Sequence, residues 1–112
     1  VFECMDGEWV SIGSIEPQFY ALLLEKTGLS GDAELTGQMD RTKWPHLKEK
    51  LAAVFRTKTR DEWAALAEKT DACAAPVLDF VEAAKHAHNR ANGYYVTESF
   101  DKPGAVLKFP QA

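Results

Sequence analysis

Cysteine is scarce in this chain, which argues against a small disulfide-bound scaffold. Cys4 and Cys73 are the two thiols in 112 residues, and they lack the Cys-x-x-Cys spacing of a redox pair or a zinc ribbon. We read them as buried free cysteines in a reducing compartment, which makes the expected setting cytoplasmic. Long apolar runs are missing as well. No stretch approaches the roughly 20 residues that a spanning helix needs, and the first residues do not follow a basic, apolar, small-residue leader pattern. The expectation is a soluble protein with no membrane partner. An excess of basic charge is also absent: 13 Lys and Arg against 17 Asp and Glu leave a net charge of -4. A phosphate backbone demands clustered cations, so no nucleic-acid partner is expected. Lys48 and Lys50, or Arg56, Lys58 and Arg60, are interleaved with apolar residues and read as the solvated sides of helices. No Gly-rich phosphate loop and no Ser-His-Asp order are found.

The apolar content is sufficient for a core. At 46% hydrophobic residues, residues 1–112 fit a single globular domain of modest size. Asp6-Gly7 lies between Phe2-Glu3-Cys4-Met5 and Glu8-Trp9-Val10-Ser11-Ile12, which predicts a β-hairpin over residues 2–13 turning on positive φ values. Pro17 suits a first helical position, and Phe19, Tyr20, Leu22, Leu23 and Leu24 supply an apolar face ending at a left-handed Gly28 cap. The Gly, Asp and Thr between residues 28 and 43 mark a surface connection. Leu47, Leu51, Val54 and Phe55 recur at helical spacing, and Thr59 with Glu62 has the capping-box form that opens a third helix through Trp63 and Leu66.

Further on, residues 72–77 read as a short buried strand that Pro76 confines to an edge. Asp79 is suited to cap a helix from Phe80 to about Lys85. Tyr94-Tyr95-Val96-Thr97 has strand character, and Val106-Leu107 is a candidate last strand or extended tail. The fold class is therefore α+β: a small, mainly antiparallel sheet from the hairpin and the two later strands, covered by three or four helices. Trp9, Trp44 and Trp63 are read as core or interface anchors.

The stretch Ser14-Ile15-Glu16-Pro17-Gln18-Phe19-Tyr20 places a carboxylate where a strand hands over to a proline-led helix. There the free N–H groups of the first turn can stabilise its charge. Glu16 is the candidate catalytic residue, and Gly13, Ser14 and Ile15 are candidate substrate-binding positions, the first two because they allow close backbone approach. The plainer alternative is that Glu16 merely complements the helix dipole. Glu82 and His86 share a helical face with His88 nearby, but no further ligand stands at motif spacing, so no metal is assigned. The chain begins on Val1-Phe2-Glu3-Cys4 inside a strand, which suggests a piece of a longer polypeptide.

Several blocks in one order resemble the alpha-methylacyl-CoA racemases within the family III CoA-transferases: residues 3–13, residues 14–20, Gln38-Met39-Asp40-Arg41, Thr59-Arg60-Asp61-Glu62-Trp63, and residues 70–78. The resemblance covers nearly the whole chain. It implies a two-domain enzyme, of which this chain is similar to the small α+β domain, with a large CoA-binding domain absent from these residues. It also implies an interlocked homodimer with its active site between one subunit's large domain and the other's small domain. In the racemases a His and an Asp of the large domain exchange the proton beside the thioester carbonyl, and by motif position their neighbouring Glu is Glu16. Coenzyme A then enters as part of the acyl-CoA substrate, with no separate cofactor. CoA transfer to a carboxylate is the alternative reaction within the family. A free-standing interaction module without catalysis is the alternative outside it. The isolated chain is expected to be inactive in either enzyme reading.

Overall fold

A computed structural model describes the backbone of residues 1–99 and 105–108, and side chains through residue 96. The chain divides into two compact units, residues 1–77 and residues 78–112.

In the first unit β1 (Phe2–Glu3) and β2 (Trp9–Ile12) form the expected hairpin, with Phe2 opposite Val10 and Glu3 opposite Trp9. The turn differs from the tight one expected. Gly7 has a φ of 77° while Asp6 stays out of the left-handed region, and the Gly7 N–H donates to the Cys4 carbonyl at 3.1 Å. The loop is wider because its groups are engaged outside the hairpin. The Met5 N–H donates to the Lys58 carbonyl at 2.9 Å, and the Asp6 carboxylate accepts from the Arg60 N–H at 3.2 Å.

The third strand, β3 (Ala74–Pro76), pairs antiparallel with β2, setting Ile12 against Ala74 and Val10 against Pro76. The sheet order is β1-β2-β3, so Pro76 lies on an edge strand, where its missing N–H costs no ladder bond. Residues 72–77 are not uniformly buried as expected. Ala72 is buried, but Cys73 is exposed and takes a φ of 51°, which turns the chain sharply into β3.

The helices follow the apolar spacing. α1 (Pro17–Thr27) ends on Gly28 at a φ of 75°, the left-handed cap that a residue without Cβ adopts readily. A 3-10 turn over Ala33–Thr36 interrupts the connection read as plain loop, and Leu35 within it is fully buried. α2 (Trp44–Phe55) buries Leu47, Leu51 and Phe55, one stripe at every fourth residue. α3 (Arg60–Ala67) opens on the Thr59–Glu62 capping box, with the Thr59 hydroxyl accepting from the Glu62 N–H and the Glu62 carboxylate accepting from the Thr59 N–H.

The core gathers Cys4, Val10, Leu23, Leu51, Phe55 and Trp63, with Phe2, Ile12 and Tyr20 packed against it. Phe55 stacks on Phe2 and meets Trp63 edge-on, each at 5.1 Å between ring centroids. The Trp63 indole N–H donates to the Phe55 carbonyl at 2.8 Å, so its polar end is satisfied inside the core. Arg60 corrects the reading of the basic group as solvated: it is 7% exposed. Its guanidinium donates to the Asp61 and Glu8 carboxylates and to the Val77 carbonyl. Burial of that cation is tolerable because its donors are met.

In the second unit Asp79 opens α4 (Phe80–Lys85) with a second full capping box, its partner being Glu82. A further short helix, α5 (Ala87–Ala91), was not evident from periodicity because five residues are too few to display it. The strand expected over residues 94–97 starts two residues later. As β4 (Val96–Ser99) it pairs antiparallel with β5 (Ala105–Lys108) in a separate two-stranded sheet instead of extending the first. Val106-Leu107 is thus strand, not tail. The α+β class holds, with five α-helices in the described residues.

Candidate active site

The link from β2 to α1 is four residues long, and neighbouring segments grip its backbone. The Gly13 N–H donates to the Cys73 carbonyl at 2.8 Å, and the buried Ser14 hydroxyl donates to the Ala72 carbonyl. The Ile15 N–H folds back to the Gly13 carbonyl at 2.8 Å. From the other side, the Gln38 side-chain amide donates to the carbonyls of both Ser14, at 2.9 Å, and Ile15, at 3.0 Å. Two carbonyl partners require the amide nitrogen at that position. Gln38 is itself fixed, since its main-chain carbonyl accepts the Trp44 indole N–H at 2.9 Å. The loop carrying Gln38 is further ordered by Asp40, whose carboxylate accepts from the Thr42 N–H and hydroxyl, and by Arg41, whose guanidinium lies 5.3 Å from the Trp44 ring centre.

Glu16 follows directly. Its backbone is extended, with φ -71° and ψ 145°, as expected for a residue preceding proline. Its carbonyl accepts the Tyr20 N–H at 2.9 Å, the first bond of α1. The carboxylate does not cap the helix, in contrast to the expectation that the first-turn N–H groups would hold it. Among the described residues it makes no ion pair, and the side chain is exposed. Of the three candidate substrate-binding positions, Gly13 and Ile15 are exposed, Ile15 to 66%. Ser14 turns its hydroxyl inward, so that group serves the fold. A shallow groove lined by Pro17, Tyr20, Leu24, Leu35, Gln38 and Met39 borders the same turn.

Away from this link, the Glu82 and His86 side chains are engaged with backbone, and the His88 ring lies 5.9 Å from the Tyr94 ring. The Glu82 carboxylate accepts from the Asp79 N–H at 3.0 Å, and the His86 ring accepts from the His88 N–H at 3.3 Å. No group of three metal-ligating side chains occurs among the described residues. Gln38 and Trp44 are the site residues that periodicity could not find. A hydrogen bond across 24 positions leaves no local signal, and the Gln38 block stood out only through its resemblance to a family.

Among the described residues the Glu16 carboxylate is thus exposed and unpaired, on a strand-to-helix link whose backbone is bonded from both sides. The sequence pattern of CoA-transferase family III matches residues 1–111, and the chain belongs to that family. Alpha-methylacyl-CoA racemase of Mus musculus is 46% identical over 102 residues, 91% of this chain and 26% of the relative. The Homo sapiens protein of the same name is 46% identical over 96 residues, 86% of this chain and 25% of the relative. The chain thus spans about a quarter of the length of these curated relatives. The crystal structure of Rv3272 from M. tuberculosis superposes with a TM-score of 0.77 at 16% identity, over 98% of this chain and 32% of that one. That likeness extends to the fold alone. No described helix is long and apolar enough to cross a membrane.

Proposed function

We propose that this chain is the small-domain part of an acyl-CoA racemase acting on the α-carbon of acyl-CoA thioesters, and that Glu16 is its contribution to the reaction centre. The proton beside a thioester carbonyl is weakly acidic. Inverting that centre through an enolate needs a base on each face and hydrogen bonding to the developing oxyanion. One carboxylate cannot perform both tasks. Glu16 fits the role of an anion that accepts a hydrogen bond from a catalytic His, orients its ring and favours its protonated form.

That His and its Asp counterpart belong to the large domain implied by the family resemblance. The coenzyme A portion arrives with the substrate, and no separate cofactor is required. The complete site is a homodimer's, assembled between a large domain and this small one, and the free thiols of Cys4 and Cys73 suit a cytoplasmic setting. The observation that carries the proposal is the Glu16 carboxylate itself, exposed and without a partner among the described residues, on a backbone bonded at residues 13, 14 and 15.

In the intact protein carrying this chain, Glu16→Gln should lower the rate of α-proton exchange from a chiral 2-methylacyl-CoA in deuterated water by about tenfold or more. Binding of the ester should change by no more than about twofold. Unchanged exchange would remove Glu16 from the mechanism. CoA transfer to a free carboxylate without α-exchange would move the assignment to the transferase reaction.

A further inference from the structure

Gln38 lies on a loop in a different part of the chain from Glu16 and makes no hydrogen bond to its carboxylate. Yet its side-chain amide is the group that ties down the backbone immediately before it. One NH2 group spends both of its protons on consecutive carbonyls, those of Ser14 and Ile15, at 2.9 and 3.0 Å. Consecutive carbonyls in an extended segment point apart, so a single donor reaches both only where the chain turns. The return bond from the Ile15 N–H to the Gly13 carbonyl at 2.8 Å makes that turn. The donor is in turn held from behind, through the bond from the Trp44 indole N–H to the Gln38 carbonyl. Trp44 opens α2, whose Leu47, Leu51 and Phe55 are buried in the unit. A chain of bonded groups therefore runs from an α2 anchored by buried residues, through Trp44 and Gln38, to the peptide that precedes Glu16.

We infer that Gln38 is a positioning residue for the proposed reaction, setting the direction of the Glu16 carboxylate by holding the Ser14 and Ile15 carbonyls and so the two peptides that precede it. This rests on the reading of Glu16 given above. Pro17 limits Glu16 to an extended backbone, but that leaves open the rotation of the Ile15–Glu16 peptide plane, which the Ile15 carbonyl defines. Gln38 holds that carbonyl. Without it, Glu16 retains its exposure and its charge but loses a fixed orientation. Misplacement of a reacting group by about 1 Å can cost around a hundredfold in rate.

The test is a double-mutant cycle in the intact protein, with α-proton exchange from a 2-methylacyl-CoA as the readout. Gln38→Ala should lower kcat about tenfold with KM within about threefold. In a Glu16→Gln background the same change should alter kcat by less than about twofold, because a positioning residue has nothing left to position. Trp44→Phe keeps the ring and loses the N–H that braces Gln38, so it should give a smaller loss of the same kind and serves if Gln38→Ala does not fold. Equal losses in both backgrounds would show that Gln38 acts by another route and would overturn the inference. So would an unchanged kcat in Gln38→Ala alongside a reduced one in Glu16→Gln, which leaves the role of Glu16 standing. If Glu16→Gln itself leaves kcat unchanged, the reading of Glu16 fails and the positioning role fails with it.

Discussion

Replacing Glu16 by serine should strengthen α1 while weakening activity. The helix starts without a side-chain cap, at a residue whose extended φ and ψ of -71° and 145° already have N-cap geometry. Pro17 at the first helical position has no N–H to satisfy, and the Tyr20 N–H is taken by the Glu16 carbonyl. The Gln18 and Phe19 N–H groups remain without intrahelical acceptors. A serine hydroxyl at position 16 can accept from the Phe19 N–H, as the Thr59 hydroxyl does for Glu62 in α3 at 3.2 Å. Such caps contribute about 1 kcal/mol, within a range of about 0.5–2. Native-state hydrogen exchange reads this directly: the Tyr20 amide should exchange about fivefold more slowly in Glu16→Ser if it opens by local unfolding of the first turn. The same variant should lose α-proton exchange activity, the trade expected where a site gives up local stability. Unchanged Tyr20 exchange would mean that the carboxylate already caps the helix in solution. Glu16 would then be committed to the helix and not free for a reacting centre.

Phe55→Ala should destabilise the first unit by about 3–5 kcal/mol, because Phe55 is 2% exposed and packs against both Phe2 and Trp63. Urea unfolding followed by tryptophan fluorescence would expose an error if the loss were under about 1 kcal/mol. Stability should also decline on the acid side through the Glu34–Lys50 pair. The Lys50 ammonium, followed by His46, holds the Glu34 carboxyl down from 4.5 to about 2, and Lys50 likewise depresses Asp32. A depressed carboxyl stabilises the fold above its unfolded pKa and ceases to do so as pH falls through its folded value. The difference in urea midpoint between the native protein and Lys50→Met should therefore be full above about pH 5, shrink as pH falls and vanish only as pH drops through about 2. A difference independent of pH would show that the ion pair is not its source.

The parts of the fold legible from sequence are those with local causes. Gly28 terminated α1 because a left-handed cap suits glycine, and the Thr59–Glu62 box opened α3 because both of its partners lie within one turn. The Leu47, Leu51 and Phe55 stripe revealed α2 for the same reason. Long-range pairing was not legible in this way. Val96–Ser99 has the composition of a strand for any sheet, and composition does not say that its partner is Ala105–Lys108. Arg60 read as a surface cation because its composition is that of one. It is buried because carboxylates and a carbonyl from three separate stretches converge on it. At the candidate site, Glu16 was singled out through Pro17 and the strand-to-helix junction, whereas Gln38 and Trp44 act across gaps that no sequence window spans.

The way the link is held bears on why its carboxylate is unpaired among the described residues. A side-chain cap at position 16 would have fixed the helix start with one local bond, as Thr59 and Asp79 do for α3 and α4. Instead the chain recruits Ala72 and Cys73 from 58 or more residues away, and Gln38 from 24. Cys73 adopts a left-handed φ of 51° as it presents its carbonyl to Gly13, a conformation that costs a non-glycine residue about 1 kcal/mol or more. The distant contacts hold the backbone at residues 13–15 where a local cap would otherwise fix the helix start. They differ from such a cap in one outcome: the carboxylate makes no bond among the described residues. The role proposed for Glu16, meeting a reacting centre built elsewhere, needs both properties, a fixed main chain and an uncommitted side chain. The distant contacts to Gly13, Ser14 and Ile15 provide the first without using up the second.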